Sequence, residues 1–425
     1  MAPAVLSPAP PSAPHPISAD SKATQCPFVT EKTESGGPVL DPNWTVDTSA
    51  AVLSDDPKQI YAEYEYMREH CPVAWTSAHG GYWILTKYED IKACAGDGVT
   101  FISSVCAIVP SDPRGIRRPP LKFDGAAHTP YRKALDRTLN PRRLARLEPA
   151  LRGHAKRELA PLLEAGQGDI CQRFGARFSA AVESEWLGLD EEAGRLLAET
   201  VGPFVQSWRG GEWEFVLRAS QAFYKVAEGV MEDRRTNPRD PEEDPASSLL
   251  LERDSEGKEL DPYHLIGAIR QALIVAMVAP SILMGAIVEH LAADKALQNQ
   301  LRSDPSLIPA AIEEFVRLYT PYRGFARTAT HEVTISGTVV PPETPITMTY
   351  AAANRDGRQF PDPETFMLGR ENITSHLGFG RGRHRCAGVN LARMMLRDWS
   401  IVEEGREFAK LPEVGLIGCK VRFVV

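Results

Sequence analysis

The stretch His376 to Trp399, HLGFGRGRHRCAGVNLARMMLRDW, decides how the rest of the chain is read. Glycines at 378, 380 and 382 lead to Cys386, Gly388 follows, and Leu391, Met394 and Met395 then recur at helical spacing. The spacing puts the cysteine on a loop that feeds a helix N-terminus. Backbone N–H groups aimed at the sulfur and the positive end of a helix both stabilise a thiolate, the form that ligates metal. Glycines let backbone approach a flat ligand closely. One cysteine in a glycine-rich loop also fits an ordinary buried thiol, so the surrounding chain has to choose.

The chain has 425 residues, 43% apolar and 24% charged, which excludes collagen-like, wholly disordered and disulfide-scaffold readings. A net charge of −8 argues against a nucleic-acid binder, which needs excess Lys and Arg. The seven cysteines are scattered without a C-x-x-C pair, so neither a disulfide framework nor a zinc site follows, and a reducing, cytoplasmic setting is expected. The longest apolar stretch, Leu273 to Val288, contains Pro280 and Ser281 and is short of a bilayer span. It reads as a buried core helix, and no membrane association is expected.

The organisation follows from periodicity and breakers. Residues 1–41 read as a disordered Pro-rich tail and 42–425 as one domain. KQIYAEYEYMREH (58–70) is helical, and VAWTSAHGGYWILTKY (73–88) alternates like a hairpin turning at Gly80-Gly81. From Thr129 to Met231 helix formers dominate, broken at Pro141, Gly166 to Gly168, Leu187 to Asp190 and Gly210-Gly211. Residues 234–262 are charged and Pro-rich, as an exposed connection would be, and a long apolar helix over 263–292 follows. The segment 327–350 alternates around Gly337 and Pro341-Pro342, which predicts a small antiparallel sheet. The expected fold class is therefore mainly α with a smaller β part (α+β).

FGRGRHRCAG (379–388) resembles the haem-ligating loop of the cytochrome P450 family, including Phe379, Gly380, Gly382, a basic residue at His384, and Gly388. The resemblance extends from about Asp56 to the C-terminus, with further landmarks in order. It implies haem b between the long helix and this loop, with Cys386 as the metal ligand. In EEFVRL, Glu314 and Arg317 have the spacing of a family pair that is buried and joined by a meander arginine, which Arg370 matches; that triad is structural. By resemblance, His128 and Arg132 in HTPYR, Arg327 in FARTAT, and His384 hold the haem propionates. Thr129 and Pro130 are suited to cap and open that helix, which puts His128 and Arg132 near its positive end.

Two adjacent positions depart from the pattern. Where the family places an acid followed by an alcohol over the haem to relay protons, AMVAPS (276–281) has Ala279 and Pro280, and neither side chain can carry a proton. Pro280 also bends the helix and leaves the Ala276 carbonyl without its usual partner. Ser281 is the nearest hydroxyl, either a displaced catalytic group or a serine bonded to backbone. Three substitutes remain open: a substrate hydroxyl or water, radical coupling, and hydrogen peroxide.

The resemblance implies an oxidoreductase of the monooxygenase type acting on a bulky apolar or aromatic small molecule. The alternatives are oxidative C–C or C–O coupling, peroxide-driven chemistry, or a non-catalytic haem-binding protein. The pocket is expected around Phe101 to Arg118, Phe204 to Phe215, Val275, Ala276, Ala279, Tyr322, Arg323, Phe325, and Leu416-Ile417, with Arg323, Trp208 and Trp213 orienting an acidic or aromatic substrate. Electrons would come from a separate ferredoxin- or flavodoxin-type donor. Five arginines and no acid lie between Asn372 and Arg397, a local positive field suited to docking it.

Overall fold

The computed structural model describes residues 57–109, 111, 117–210 and 212–396, with strands at 29–32, 38–40, 403–408 and 416–422. The helices are α1 (Pro57–His70), α2 (Tyr88–Gly96), α3 (Gly125–Thr138), α4 (Pro141–Ala165), α5 (Ala176–Leu187), α6 (Glu191–Gly210), α7 (Trp213–Thr236), α8 (Pro245–Leu251), α9 (Pro262–Ala293), α10 (Lys295–Ser303), α11 (Ile308–Leu318), α12 (Tyr350–Ala353) and α13 (Val389–Met395). The strands are β1 (Val29–Lys32), β2 (Pro38–Leu40), β3 (Val73–Thr76), β4 (Tyr82–Leu85), β5 (Phe101–Ile102), β6 (Gln167–Asp169), β7 (Phe325–Ala329), β8 (Val333–Ile335), β9 (Thr338–Val340), β10 (Pro345–Met348), β11 (Glu403–Phe408) and β12 (Leu416–Arg422). The fold is mainly α with a smaller β part.

The helix breaks follow residue chemistry. Asn140 accepts a hydrogen bond from the Arg143 N–H, Pro141 opens α4, and Gly166 closes it in the left-handed region at φ 68°. Asp261 accepts from the Tyr263 and His264 N–H groups and Pro262 starts α9. Apolar nearly all round, α9 runs through the core against α5 and α7. By length and composition it could cross a bilayer, yet 61% of its apolar window is buried inside the protein. The core follows this helix, with Ile269, Leu273, Met277 and Met284 at 0% exposure beside Phe223 and Leu187.

The larger sheet has the order β1-β2-β3-β4-β10-β7-β5. β3 and β4 form the expected hairpin, with Trp75 opposite Trp83. The 327–350 segment divides: β8 and β9 pair as a two-stranded hairpin, while β7 and β10 join the large sheet, β10 lying parallel to β4. A third sheet, β11-β12-β6, ties the chain's end to the start of the helical region.

Three expectations need correction. Residues 29–32 and 38–40, expected within a disordered tail, form the antiparallel strands β1 and β2, and Val39 pairs with Trp75. The rest of 1–41 lies outside the described residues. The charged 234–262 segment is not all exposed: its apolar run forms α8, with Ala246, Ser248 and Leu249 at 0% exposure, anchored by a buried Arg234–Asp244 ion pair at 2.9 Å. Finally, α3 begins at Gly125, so Thr129 does not cap it. Pro130 falls in the second turn, Thr129 Oγ donates to the Gly125 carbonyl, and His128 and Arg132 sit along the helix instead of at its end.

Candidate active site

The 376–388 loop is shaped by its glycines. Gly380 and Gly382 lie at φ 66° and 69°, and a Cβ on Gly382 would stand 2.3 Å from the Ala95 carbonyl oxygen. A Cβ on Gly378 would stand 2.5 Å from Val316 Cγ1. The loop closes when Cys386 N–H donates to Phe379 O at 2.9 Å. Burial pushes the Cys386 thiol up, while the Gly388 N–H and the Arg132, Arg385 and Arg393 guanidinium groups favour the thiolate.

Cys386 opens onto a cavity between this loop and α9. Val275, Ala276, Ala279 and Pro280 line the α9 side, and Phe379, Gly380, His384 and Gly388 line the loop side. His128, Arg132, Arg327, Tyr322 and Phe325 complete the expected set. Among the basic groups Arg132 is ion-paired with Asp136 at 2.7 Å, whereas Arg327 meets no acid among the described residues. Arg327 is 3% exposed, donates to Ala326 O at 2.8 Å, and has no carboxylate in ion-pair contact among the described residues. Burial lowers its pKa, with Tyr350 and Asp124 acting in the opposite direction. His128 is buried, its Nε2 has no hydrogen-bond partner among the described residues, and burial with nearby His384 and Arg132 depresses its pKa to about 4. An orphaned imidazole and a buried guanidinium without a carboxylate suit an anionic ligand, and Cys386 within a glycine cradle suits a flat one. These residues fit a haem.

His384 already has a protein partner. Its Nε2 is 3.0 Å from Asp124 Oδ1, and Asp124 also accepts from the Ser103 and Ser104 N–H groups at 2.9 and 2.7 Å. Burial alone would raise the Asp124 pKa; the His384 and Ser104 hydrogen bonds outweigh it and hold the pKa at about 2.

Behind the loop, Glu314 receives Arg317 in a bidentate pair at 2.7 and 2.8 Å, and Arg370 Nε reaches the same carboxylate at 3.1 Å. Met367 N–H donates to it at 3.0 Å, and Arg317 donates to the carbonyls of Asn354, Pro363 and Thr365. All three side chains are buried. Such charges persist in the interior because every one is hydrogen-bonded.

Other expected residues lie elsewhere. Ser281 Oγ donates to Val278 O at 3.0 Å and its Cα and Cβ face Gly175, so it is not aimed into the cavity: one residue past Pro280 is about 100° around the helix. Arg323 is buried away from the cavity although its neighbour Tyr322 lines it, as adjacent residues of an extended segment face opposite ways. Trp213 is 55% exposed, and Phe204 packs edge-on against Phe223 in the core. Phe101 is likewise buried in β5, outside the lining, whereas Pro120 and Leu121 line it. Ile417 lies on β12, but its side chain and that of Leu416 fall outside the described residues, as do those of Trp208 and Arg397. The positive field is also smaller than the arginine count implies, because Arg393 is paired with Glu313 at 2.6 Å.

Sequence reasoning missed Asp124, Tyr350, Gln271, Glu183 and Trp186. Four of them line the cavity and Asp124 orients His384. The signal for Glu183 was present: an acid on the same helix face as Ser179 and Trp186 within the largely apolar run FSAAVESEWL.

The model for the family described as cytochrome P450 matches residues 281–398. Pulcherriminic acid synthase of Bacillus subtilis is 26% identical over 367 residues, covering 81% of this chain and 87% of that protein. 6-Deoxyerythronolide B hydroxylase of Saccharopolyspora erythraea is 29% identical, covering 79% and 85%. The solved ligand-free structure of cytochrome P450 TbtJ1 superposes with a TM-score of 0.76 at 27% identity, over 88% of this chain and 99% of that one. The matched segment contains the Cys386 loop and the Glu314–Arg317–Arg370 cluster, and the relatives extend the likeness over four fifths of the sequence: the chain is similar nearly throughout to bacterial cytochrome P450s, haem-thiolate oxidoreductases of the monooxygenase type.

Proposed function

We propose that the protein holds haem b through Cys386 and oxidises a bulky apolar or aromatic small molecule, with electrons from a separate ferredoxin- or flavodoxin-type donor. The observation that carries this reading is the shared cavity: Cys386, the neutral imidazole of His128, the cations Arg132 and Arg327, and the apolar wall of Val275, Ala276, Ala279, Tyr322 and Phe325 all line it. Bound there, haem supplies activation of dioxygen and transfer of one of its oxygen atoms.

The chain's own groups do the rest. The Gly388 N–H and neighbouring arginines stabilise the sulfur of Cys386 as an anion. Arg327 and Arg132 would neutralise the propionates, and the neutral His128 imidazole would donate a hydrogen bond that helps orient the flat ligand. Small residues Ala276 and Ala279 leave room for a ring-shaped substrate, and Tyr322 and Phe325 offer aromatic walls that exclude water. The Glu314–Arg317–Arg370 cluster keeps the meander and α11 in register behind the loop. Arg381, Arg383 and Arg385 are exposed beside Cys386 and would receive the acidic face of an electron donor. The six described cysteines are free thiols, which supports a reducing, cytoplasmic setting.

A second reading, peroxide-driven oxidation or radical coupling on the same haem, is favoured by Ala279 and Pro280, whose side chains cannot carry a proton. The test is spectroscopic and then kinetic. The reduced, CO-treated protein should show the red-shifted Soret band of a thiolate haem, lost in Cys386→Ala; an unchanged spectrum would falsify the ligand assignment. Binders found by Soret shift, assayed with donor and dioxygen or with peroxide, separate the two readings by which oxidant sustains product formation.

A further inference from the structure

We propose that Ser179, Glu183 and Trp186 form a buried polar strip on α5 that holds a short chain of internal water and passes protons to the cavity, replacing the acid and hydroxyl that Ala279 and Pro280 do not supply. The proposal rests on the oxygenase reading above. The three residues stand at i, i+4 and i+7 and so share one helix face. Ser179 and Glu183 are at 0% exposure and Trp186 at 3%. Ser179 Oγ, both Glu183 carboxyl oxygens and Trp186 Nε1 have no hydrogen-bond partner among the described residues. On the same helix Ser184 bonds back to the Ala180 carbonyl, so Ser179 had that option and does not take it. Four orphaned polar atoms on one buried helix face require an explanation, and bound water is the usual one.

The strip leads to the cavity. Glu183 and Trp186 line it together with Ala276, Ala279 and Pro280. α5 packs along α9, and the residue before α5, Gly175, abuts Ser281: a Cβ there would stand 3.0 Å from Ser281 Cα. Pro280 brings no N–H to the Ala276 carbonyl, which leaves an acceptor on the wall of the same cavity. Water bound between Glu183 and this carbonyl would have polar partners on both sides.

Burial without a counter-charge holds the Glu183 carboxyl well above the ordinary carboxylate range, so it carries a proton it can give. The transfer balances simply. The Glu183 O–H gives its proton to the water hydrogen-bonded to the Ala276 carbonyl, that water passes one proton to the group reduced in the cavity, the carboxylate takes a proton from the water held by Ser179, and the hydroxide so formed is reprotonated by the next water outward. One proton moves from solvent to the cavity, with no electron transferred.

Infrared spectra of the holoprotein in H2O and D2O test the strip independently of turnover. A protonated-carboxyl C=O stretch that shifts in D2O and vanishes in Glu183→Gln is the expected result; identical spectra for wild type and variant overturn the proposal. With a reductant and a bound substrate, Glu183→Gln should divert electrons from product to peroxide, lowering the product fraction on the order of 100-fold, while the CO spectrum and haem content stay as in wild type. An unchanged product fraction overturns the relay. If Glu183→Gln does not fold, Ser179→Ala serves: it should displace the same carboxyl band and lower the product fraction, and no change in either overturns the proposal. A wild-type protein without the thiolate CO band sinks the oxygenase reading instead, whatever the infrared shows.

Discussion

Asp124 Oδ1 lies 3.0 Å from His384 Nε2, which ties the N-cap position of α3 to the loop that carries Cys386 two residues later. The same carboxylate accepts from the Ser103 and Ser104 N–H groups, so one side chain fixes three segments around the cavity. Loss of this anchor should loosen the loop before it disturbs the helices.

Asp124→Asn is therefore expected to cost roughly 1–3 kcal/mol at neutral pH. The Asp124 pKa is depressed to about 2 from 3.8. A depressed carboxylate contributes stability that is complete above its unfolded pKa and is lost as pH falls through the folded one. The gap in unfolding free energy between wild type and variant should accordingly be full at pH 7 and shrink between about pH 4 and pH 2. Denaturant titrations at several pH values check this, and a gap that grows on acidification contradicts the assignment.

Glu314→Gln leaves Arg317 and Arg370 buried against a neutral amide. Breaking one member of a buried ionic cluster costs about 3–5 kcal/mol. Equilibrium denaturation should show that loss, and the haem content of purified protein should fall with it, because the cluster joins α11 to the meander preceding the loop. Glu314→Gln with wild-type stability would mean the cluster holds little.

Gly382→Ala places a methyl 2.3 Å from the Ala95 carbonyl in a residue at φ 69°. Backbone must shift, so haem incorporation should drop and the CO band should weaken or move, while helical circular dichroism stays near wild type. Gly153→Ala, with nothing within 4 Å of the added carbon, is the control expected to behave as wild type.

Arg327→Met removes a buried cation that has no carboxylate partner among the described residues. A charge-assisted hydrogen bond contributes about 1.5–3 kcal/mol, so haem loss to a competing apoprotein should accelerate roughly 10- to 100-fold. Without haem, the variant should be as stable as wild type or more so, since an uncompensated buried charge is gone. A slower haem loss would argue that Arg327 faces no propionate.

Restoring Asp at 279 and Thr at 280 together puts an acid and a hydroxyl on the α9 wall and returns an N–H to the Ala276 carbonyl. The double variant should raise the fraction of reductant recovered as product, measured against peroxide released. Pro280→Ala alone should stabilise α9 by returning that N–H without raising the product fraction.

The legible features were those in which neighbouring residues set the outcome. The glycine-to-cysteine loop, the hairpin at Gly80-Gly81, the α4 boundaries at Asn140, Pro141 and Gly166, and the apolar α9 all arise from local conformational preference and periodicity. Thr129 misled because a good capping residue lies one turn inside a helix that starts earlier. The 234–262 segment was misread as exposed because the burial of its short apolar run, 245–251, depends on docking against α3 and α7.

Local chemistry along the chain determined which cysteine sits in a glycine-rich loop before a helix, where the helices break, and that Ala279 and Pro280 carry no proton-bearing side chain, since backbone propensity and side-chain type are properties of short windows. Tertiary structure alone decided that Asp124 holds His384, that Glu313 neutralises Arg393, that Ser281 turns from the cavity, and that Glu183 is buried beside it. Those outcomes depend on elements tens to hundreds of residues apart meeting in space, and a carboxylate has the same sequence signature whether it meets water, an imidazole or a wall of leucines.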